Sequence, residues 1–310
     1  MILFFFRQVY DNVSEMISSF RQLEVYLIRQ QRSARAVLCG CDDAASLKAL
    51  TLAENSGLIE SSFLIGDTKK TESLCRENNI VFGQHELINE TEEEAAVLTG
   101  IRLLKEDKAD ILIKGSIGFR IFSRTLFDRE RGIFIPGKVL NSIMVVENID
   151  RDGFVFISGC PTNAALNLSQ KLAVVMDTVG LANKFGVENA RVAALTTGDE
   201  ISPNDQAAID AYGLSNMKFR NCVIRGPVTM GNALTNDAKG RIVPDYDVLF
   251  GSEPGMGLMI NRAFRLSSGR EFAGILSHTQ YPVAVSSHVD CVETRYNSIL
   301  LALLKGKEVQ

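Results

Sequence analysis

The sequence predicts an α/β protein: two α/β lobes with mainly parallel sheets. Three observations carry this. Short apolar runs alternate with helical patterns along the chain, which is the rhythm of βαβ units. The runs are hydrophobic throughout instead of alternating with polar residues, as strands covered on both faces are. A length of 310 residues is also too much for one small core and suits two lobes.

Between residues 11 and 31, Val13, Met16, Ile17, Phe20, Leu23 and Leu27 recur at the spacing of an amphipathic helix. RAVLCG (35–40) reads as a strand, followed by Asp42, Asp43 and a helical pattern that stops at Gly57. SSFLIG (61–66) is the next buried strand, with Asp67 and Thr68 capping another helix. The acidic segment 91–107 is helical and leads into the strand ADILIKG (109–115). A second series begins near residue 140, a boundary read from rhythm, since no composition break marks it. VLNSIMVVE (139–147) and GFVFISG (153–159) are strands joined by a charged turn, and a long helix runs from about 164 to 185. Strands at 190–198, 221–227, 247–251 and 282–287 follow, with helices between them, and an amphipathic helix over 292–304 ends the chain.

Composition excludes several classes. Apolar residues make up 46% and charged residues 23%, which is ordinary globular usage. A net charge of −4, with lysines and arginines scattered, argues against a nucleic-acid partner. The opening MILFFF is too short, and lacks the basic lead and cleavage site, to be a secretion signal. No run of about 18 uncharged apolar residues exists, so no membrane span is expected. Six cysteines and three histidines form no zinc pattern, and reduced thiols in a cytoplasmic protein are the expectation. Cys160 has no neighbouring base in sequence and is not expected to be a nucleophile.

Several strands end in similar punctuation: Lys114-Gly115-Ser116, the loop 158–163, the loop 196–200, Arg225-Gly226-Pro227, the glycine-rich loop 251–257 with Glu253 and Gly255, and Ser286-Ser287-His288. In open parallel sheets ligands bind beyond the carboxyl ends of strands, where these loops lie. Glycine lets backbone N–H groups approach an anion, and helix starts aim partial positive charge at it. Together, with hydroxyls and a lysine, they point to a phosphate-bearing ligand. None fits G-x-x-x-x-G-K-[ST] or a full G-x-G-x-x-G after a strand.

The strings ADILIKGSIGFRIFSRTLFDRERGI (109–133), ALTTGDEISP (194–203), RGPVTMGNAL (225–234), DYDVLFGSEPGMGLMI (245–260) and PVAVSSHVDCVETRYNSILLAL (282–303) resemble segments of the phosphate acetyltransferase and phosphate butyryltransferase family. Their order and spacing hold from about residue 35 to the end. The resemblance implies an isocitrate/isopropylmalate dehydrogenase-like architecture of two α/β domains with an interdomain cleft. Its first domain would comprise 1–140 plus 286–310 and its second 141–285. It implies acyl transfer between CoA and inorganic phosphate, with acyl chains from acetyl to butyryl. CoA or acyl-CoA is then a substrate, no cofactor or metal is bound permanently, and the usual unit is a homodimer or higher homo-oligomer.

Ser287 falls on the family's cleft serine, whose hydroxyl can hydrogen-bond the CoA sulfur, and Lys114 and Arg124 would stand near phosphate. Gly115, Ser116, Gly226, Pro227, Glu253 and Gly255 complete the expected substrate-binding set, and His288 and Glu293 the catalytic one. The chain departs from the family at charged positions. His288 stands where the family has Arg, Thr294 where acetyltransferases have Asp (with Glu293 and Asp290 nearby), and Arg225 and Gly231 where it has Asp. These departures define the alternative: a CoA-binding or regulatory homologue with weakened or lost catalysis.

Overall fold

The computed structural model describes residues 16–81, 83–148, 153–159, 166–236, 242–268 and 271–307. The apolar N-terminal segment 1–15, the charged turn at 149–152 and the loop from Cys160 to Asn163 lie outside the described residues. Helix α1 (Phe20–Arg29) opens the described chain and buries Phe20, Leu23 and Leu27, with Ser19 as its N-cap. Strand β1 (Ala34–Cys39), helix α2 (Ala44–Asn55), β2 (Ile59–Gly66), α3 (Thr68–Asn78), β3 (His85–Asn89), α4 (Glu93–Lys105), β4 (Ile111–Lys114) and α5 (Phe119–Leu126) make the first half. The second half runs β5 (Asn141–Asn148), β6 (Gly153–Ser158), α6 (Leu168–Lys184), β7 (Ala190–Leu195), α7 (Gln206–Ser215), β8 (Cys222–Val228), the hairpin β9 (Leu234–Asn236) and β10 (Ile242–Pro244), β11 (Val248–Gly251) and α8 (Met256–Ser268). Strands β12 (Phe272–Ser277) and β13 (Val283–Ala284) and helix α9 (Val292–Lys305) complete it.

The α/β expectation holds. Among the described residues, eleven strands form one sheet in the order β3-β2-β1-β4-β13-β12-β5-β6-β11-β7-β8. Both flanks are parallel, as continuous apolar runs and helical crossovers demand. The centre is the antiparallel part of this mainly parallel sheet: β12 pairs antiparallel with both β13 and β5, and β5 antiparallel with β6. A short connection between β5 and β6 permits only an antiparallel neighbour, since a parallel return needs a crossover of a dozen residues or more.

Several elements are set by local chemistry. Asp43 accepts from the N–H groups of Ala45 and Ser46 to start α2, and Asn167 and Gln170 form a reciprocal capping box at the start of α6. Asp67 accepts from Lys70 N at 3.1 Å to start α3. Replacing Asp67 by alanine orphans that donor at an exposed position. The expected loss is about 1 kcal/mol, read as a lower denaturant midpoint with an unchanged slope. Strand β3 and the β9–β10 hairpin are absent from the sequence expectation. The first has no residue in the buried class, so its sequence shows no apolar run.

Helix α9 packs back on α1 and α2 from the start of the chain. Tyr296 reaches Glu24 of α1 at 2.6 Å. Among the described residues, no helix is long and apolar enough to cross a membrane, and no group of three or more His, Cys, Asp and Glu could hold a metal ion.

Candidate active site

The carboxyl ends of β4 and β13 lie side by side, and with β12 and β5 they set one row of residues across the sheet. Cys39 pairs with Lys114, Val285 N–H donates to Gly274 O, and Gly274 pairs with Met144. The adjacent row, Ile113, Ala284, Ile275 and Ile143, falls on the opposite face and is core. The row therefore directs Lys114, Val285 and Met144 to one side, where they line a cavity of about 780 Å³. Gly274 leaves room in the middle of this floor. A Cβ there would stand 2.9 Å from Met144 Sδ and 2.7 Å from Val285 O.

One wall is the turn from β4 into α5, which contributes Ser116, Ile117, Gly118 and Phe119. This turn needs glycine at 115, because a Cβ there would lie 2.0 Å from Gly40 O. The other wall is α8, whose Leu258, Asn261, Arg262 and Arg265 share one helix face at i, i+3, i+4 and i+7. Pro254 and Gly255 lead into that helix, and Gly255 adopts a φ of +78°, the left-handed region that favours glycine. The turn Ser286-Ser287-His288 closes the ring.

Charge in this cavity is lopsided. Lys114 is 3% exposed, and its Nζ donates to two carbonyls, Gly115 O and Ser286 O, each at 3.1 Å. No carboxylate among the described residues pairs with it. Burial pulls its ammonium down to about 8, with the nearby Arg295 guanidinium adding to the shift. Arg262 Nη2 donates to Ser287 Oγ at 3.3 Å and forms no ion pair among the described residues. Arg265 is paired with the buried Asp290 carboxylate and lies over the Phe272 ring, 4.9 Å from its centroid. Burial, with Arg262 next to it, lowers Arg265 to about 10. Asp290 also accepts the Ser287 backbone N–H at 2.7 Å. Among the described residues, two cations thus face the cavity without a carboxylate of their own, an arrangement that favours an anionic ligand.

A buried lysine lowered to about 8 gives the site a pH signature. The unfolded chain keeps its proton up to about 10.5. Between those values the unfolded state binds more protons, so the fold gains stability as pH rises from about 8 to 10.5. Any anion held by Lys114 responds the other way: its affinity, measured with inorganic phosphate as the probe, should weaken as pH climbs through about 8 and the ammonium is lost. Lys114→Met should remove that inflection and weaken binding about tenfold or more at pH 7, as read by titration calorimetry across pH.

The turn itself is held from α9. Arg295, 4% exposed, donates to Asp290 O at 3.1 Å, Ser287 O at 3.2 Å and His288 O at 3.4 Å, and pairs with Asp43 Oδ2 at 2.6 Å. One guanidinium fork therefore joins the serine turn to the N-cap of α2.

Comparison with known proteins places this arrangement. The chain is 26% identical over 299 residues to phosphate butyryltransferase from Clostridium acetobutylicum, covering 93% of this chain and 98% of that protein. It is 23% identical to phosphate acetyltransferase from Rhizobium meliloti, covering 85% and 86% of the two chains. The phosphate butyryl- and acetyltransferase resemblance extends over most of the chain. No family model matches it. A branched-chain phosphotransacylase from Enterococcus faecalis V583 superposes with a TM-score of 0.70 at 17% identity, over 88% of this chain and 99% of that one, which shows a shared fold.

The structure brings together Lys114, Ser116, Gly255, Ser287 and His288 in the cavity lining, with Gly115 in the turn beside them. It separates the others. Arg124 lies on the last turn of α5 with its side chain 68% exposed, and pairs with Glu94 at 2.7 Å instead of facing the cavity. Gly226 and Pro227 sit in β8, the edge strand, with β7, β11 and β6 between them and β5. Glu253 turns away from the cavity to accept from Thr197 N and Oγ1 at 3.1 and 3.0 Å, tying two strand-end loops together. Glu293 is exposed in the first turn of α9 and does not line the cavity. Arg262, Arg265, Asn261 and Arg295 were missed by sequence reasoning. The signal for the α8 set was present as polar residues at i, i+1 and i+4 beside Leu258, but helix periodicity does not say which neighbour that face meets.

Proposed function

We propose that this protein transfers a short acyl group, acetyl to butyryl, between CoA and inorganic phosphate. The observation that carries the reading is Lys114: a buried ammonium with only carbonyl partners among the described residues, in the same cavity as Ser287 and the Arg262 guanidinium that donates to it. Similarity to phosphate butyryl- and acetyltransferases over most of the chain supports it.

In this reading Lys114 and Arg262 hold the phosphate dianion, with charge-assisted hydrogen bonds stronger than neutral ones. A phosphate oxygen attacks the thioester carbonyl, forming the C–O bond of the acyl phosphate. The C–S bond then breaks and its electron pair leaves on the CoA sulfur. The Ser287 hydroxyl donates to that sulfur as charge builds, which lowers the cost of the thiolate. Ile117, Phe119, Met144, Leu258 and Val285 give an apolar lining that excludes water from the acyl phosphate and suits an acyl chain. Acyl-CoA and phosphate enter as substrates, and the reading requires no resident cofactor or metal. It carries with it a cytoplasmic homo-oligomer, most simply a homodimer. It also divides the chain into a first domain of 1–140 plus 286–310 and a second of 141–285, with α9 packing on α1 and α2 of the first as well as on β12 of the second.

The test is phosphate-dependent thiol release from acetyl-, propionyl- and butyryl-CoA. Turnover that saturates in both substrates is expected, and none above blank at any chain length would overturn the reading. A second reading, a CoA-binding or regulatory homologue, is favoured by one observation: His288, where relatives are expected to carry Arg, is exposed at the rim. It predicts a melting shift with CoA and no turnover.

A further inference from the structure

We infer that Arg262 is a positioning residue that fixes the Ser287 hydroxyl as a hydrogen-bond donor into the cavity; the inference rests on the acyl-transfer reading above. A serine hydroxyl carries one hydrogen and two acceptor lone pairs, so its fixed neighbours decide whether it donates or accepts. A guanidinium only donates, and keeps its proton at any ordinary pH. Arg262 Nη2 stands 3.3 Å from Ser287 Oγ. The serine oxygen therefore accepts there, and its own hydrogen must go elsewhere.

The acceptors on its own turn are already engaged. The Asp290 carboxylate takes the Ser287 backbone N–H and pairs with Arg265. Ser287 O accepts from Arg295, and Ser286 O from Lys114. No described residue accepts the hydrogen on Ser287 Oγ. The free direction is the cavity, where a thioester sulfur would lie. The same contact disfavours Ser287 as a nucleophile. Neither an imidazole nor a carboxylate is bonded to Oγ to take its proton, and the arginine beside it cannot accept one.

Helix α8 thus holds the turn at two points, one helical turn apart. Arg265 neutralises Asp290 and is spent as a charge, while Arg262 keeps its charge and grips the hydroxyl. A structural arginine would act on the fold; a positioning one acts only while Ser287 has a hydroxyl to orient. That difference can be measured.

Wild type, R262Q, R262K, S287A and the double variant R262Q/S287A are compared in phosphate-dependent thiol release at saturating phosphate. R262Q is expected to lower kcat about tenfold or more. The double variant should have the kcat of S287A, because there is no hydroxyl left to orient. R262K should recover part of the loss. KM for phosphate should rise with R262Q in both backgrounds, since that effect does not pass through the serine. In binding, wild type should prefer CoA over desulfo-CoA by a few-fold, and R262Q and S287A should each lose the preference. Additive effects on kcat, or a preference for CoA that survives R262Q, would overturn the role of Arg262 alone. A wild type that neither turns over acyl-CoA nor binds CoA would overturn the acyl-transfer reading and this inference with it.

Discussion

Replacing Ser287 by alanine should lower kcat for acyl transfer about 10²–10³-fold, while CoA affinity changes no more than a few-fold. That is the usual effect of removing one preorganised donor aimed at developing charge. The sulfur of a bound thioester needs little help, whereas the sulfur of a departing thiolate needs a great deal. A group that binds the second better than the first raises kcat without tightening the ground state. The geometry favours this split. Arg262 Nη2 lies 3.3 Å from Ser287 Oγ, and the Ser287 N–H is anchored to Asp290 at 2.7 Å, so the donor is in place before substrate arrives. Steady-state rates with each acyl-CoA, beside calorimetric CoA binding, check it. A loss confined to KM would show that Ser287 contributes only to binding.

Replacing Arg295 by methionine should cost the fold about 3–5 kcal/mol, the usual effect of breaking a buried ion pair from one side. Arg295 is 4% exposed and answers Asp43, Ser46 and three backbone carbonyls of the 287–290 turn. Methionine fills much of the volume but takes the guanidinium donor from Asp290 O and His288 O and leaves Ser287 O only the Asp290 N–H, each lost partner a cost in its own right. The Asp43 carboxylate, which also caps α2, is left without its buried cation. Stability in urea at pH 7 measures the loss. Activity should fall further than the folded fraction does, because the turn carrying Ser287 loses the fork that holds it. An Arg295→Lys variant should recover only part of the stability, since an ammonium lacks the planar reach to meet the carbonyls and the carboxylate together.

How much of this was legible in the chain depends on whether the signal was local. RAVLCG, SSFLIG and ADILIKG were legible as strands because burial on both faces demands unbroken apolar runs. Asp43 and Asp67 announced the helices they cap, because the bond runs only two or three residues along the chain. Strand β3 was not legible, since HELIN sits at the sheet edge with no residue in the buried class. Nor was β12: FAGILS is apolar, but its antiparallel pairing with β5 and β13 is a choice of partners far away in sequence. Gly115 was legible as a tight turn, though its cause, the Gly40 carbonyl 2.0 Å from a would-be Cβ, lies in another strand.

The site divides the same way. Lys114, Ser116, Gly255, Ser287 and His288 could be named in advance because the residues at strand ends are marked by glycine and serine punctuation. Gly226, Pro227 and Glu253 carried similar marks, and Arg124 and Glu293 came from the family resemblance; all five lie elsewhere. What the sequence by itself determined was the α/β alternation, the strand-end loops and the serine among them, since each depends on periodicity or turn chemistry over a few residues. Only the tertiary structure decided that Arg262 and Arg265 stand beside that serine and that Lys114 meets its turn. Arg262 and Arg265 come from a helix about 25 residues away, and Lys114 from a strand more than 170 residues away. Which side chains meet across a cavity depends on how the sheet orders its strands, and that order is set by burial of the whole core rather than by any short segment.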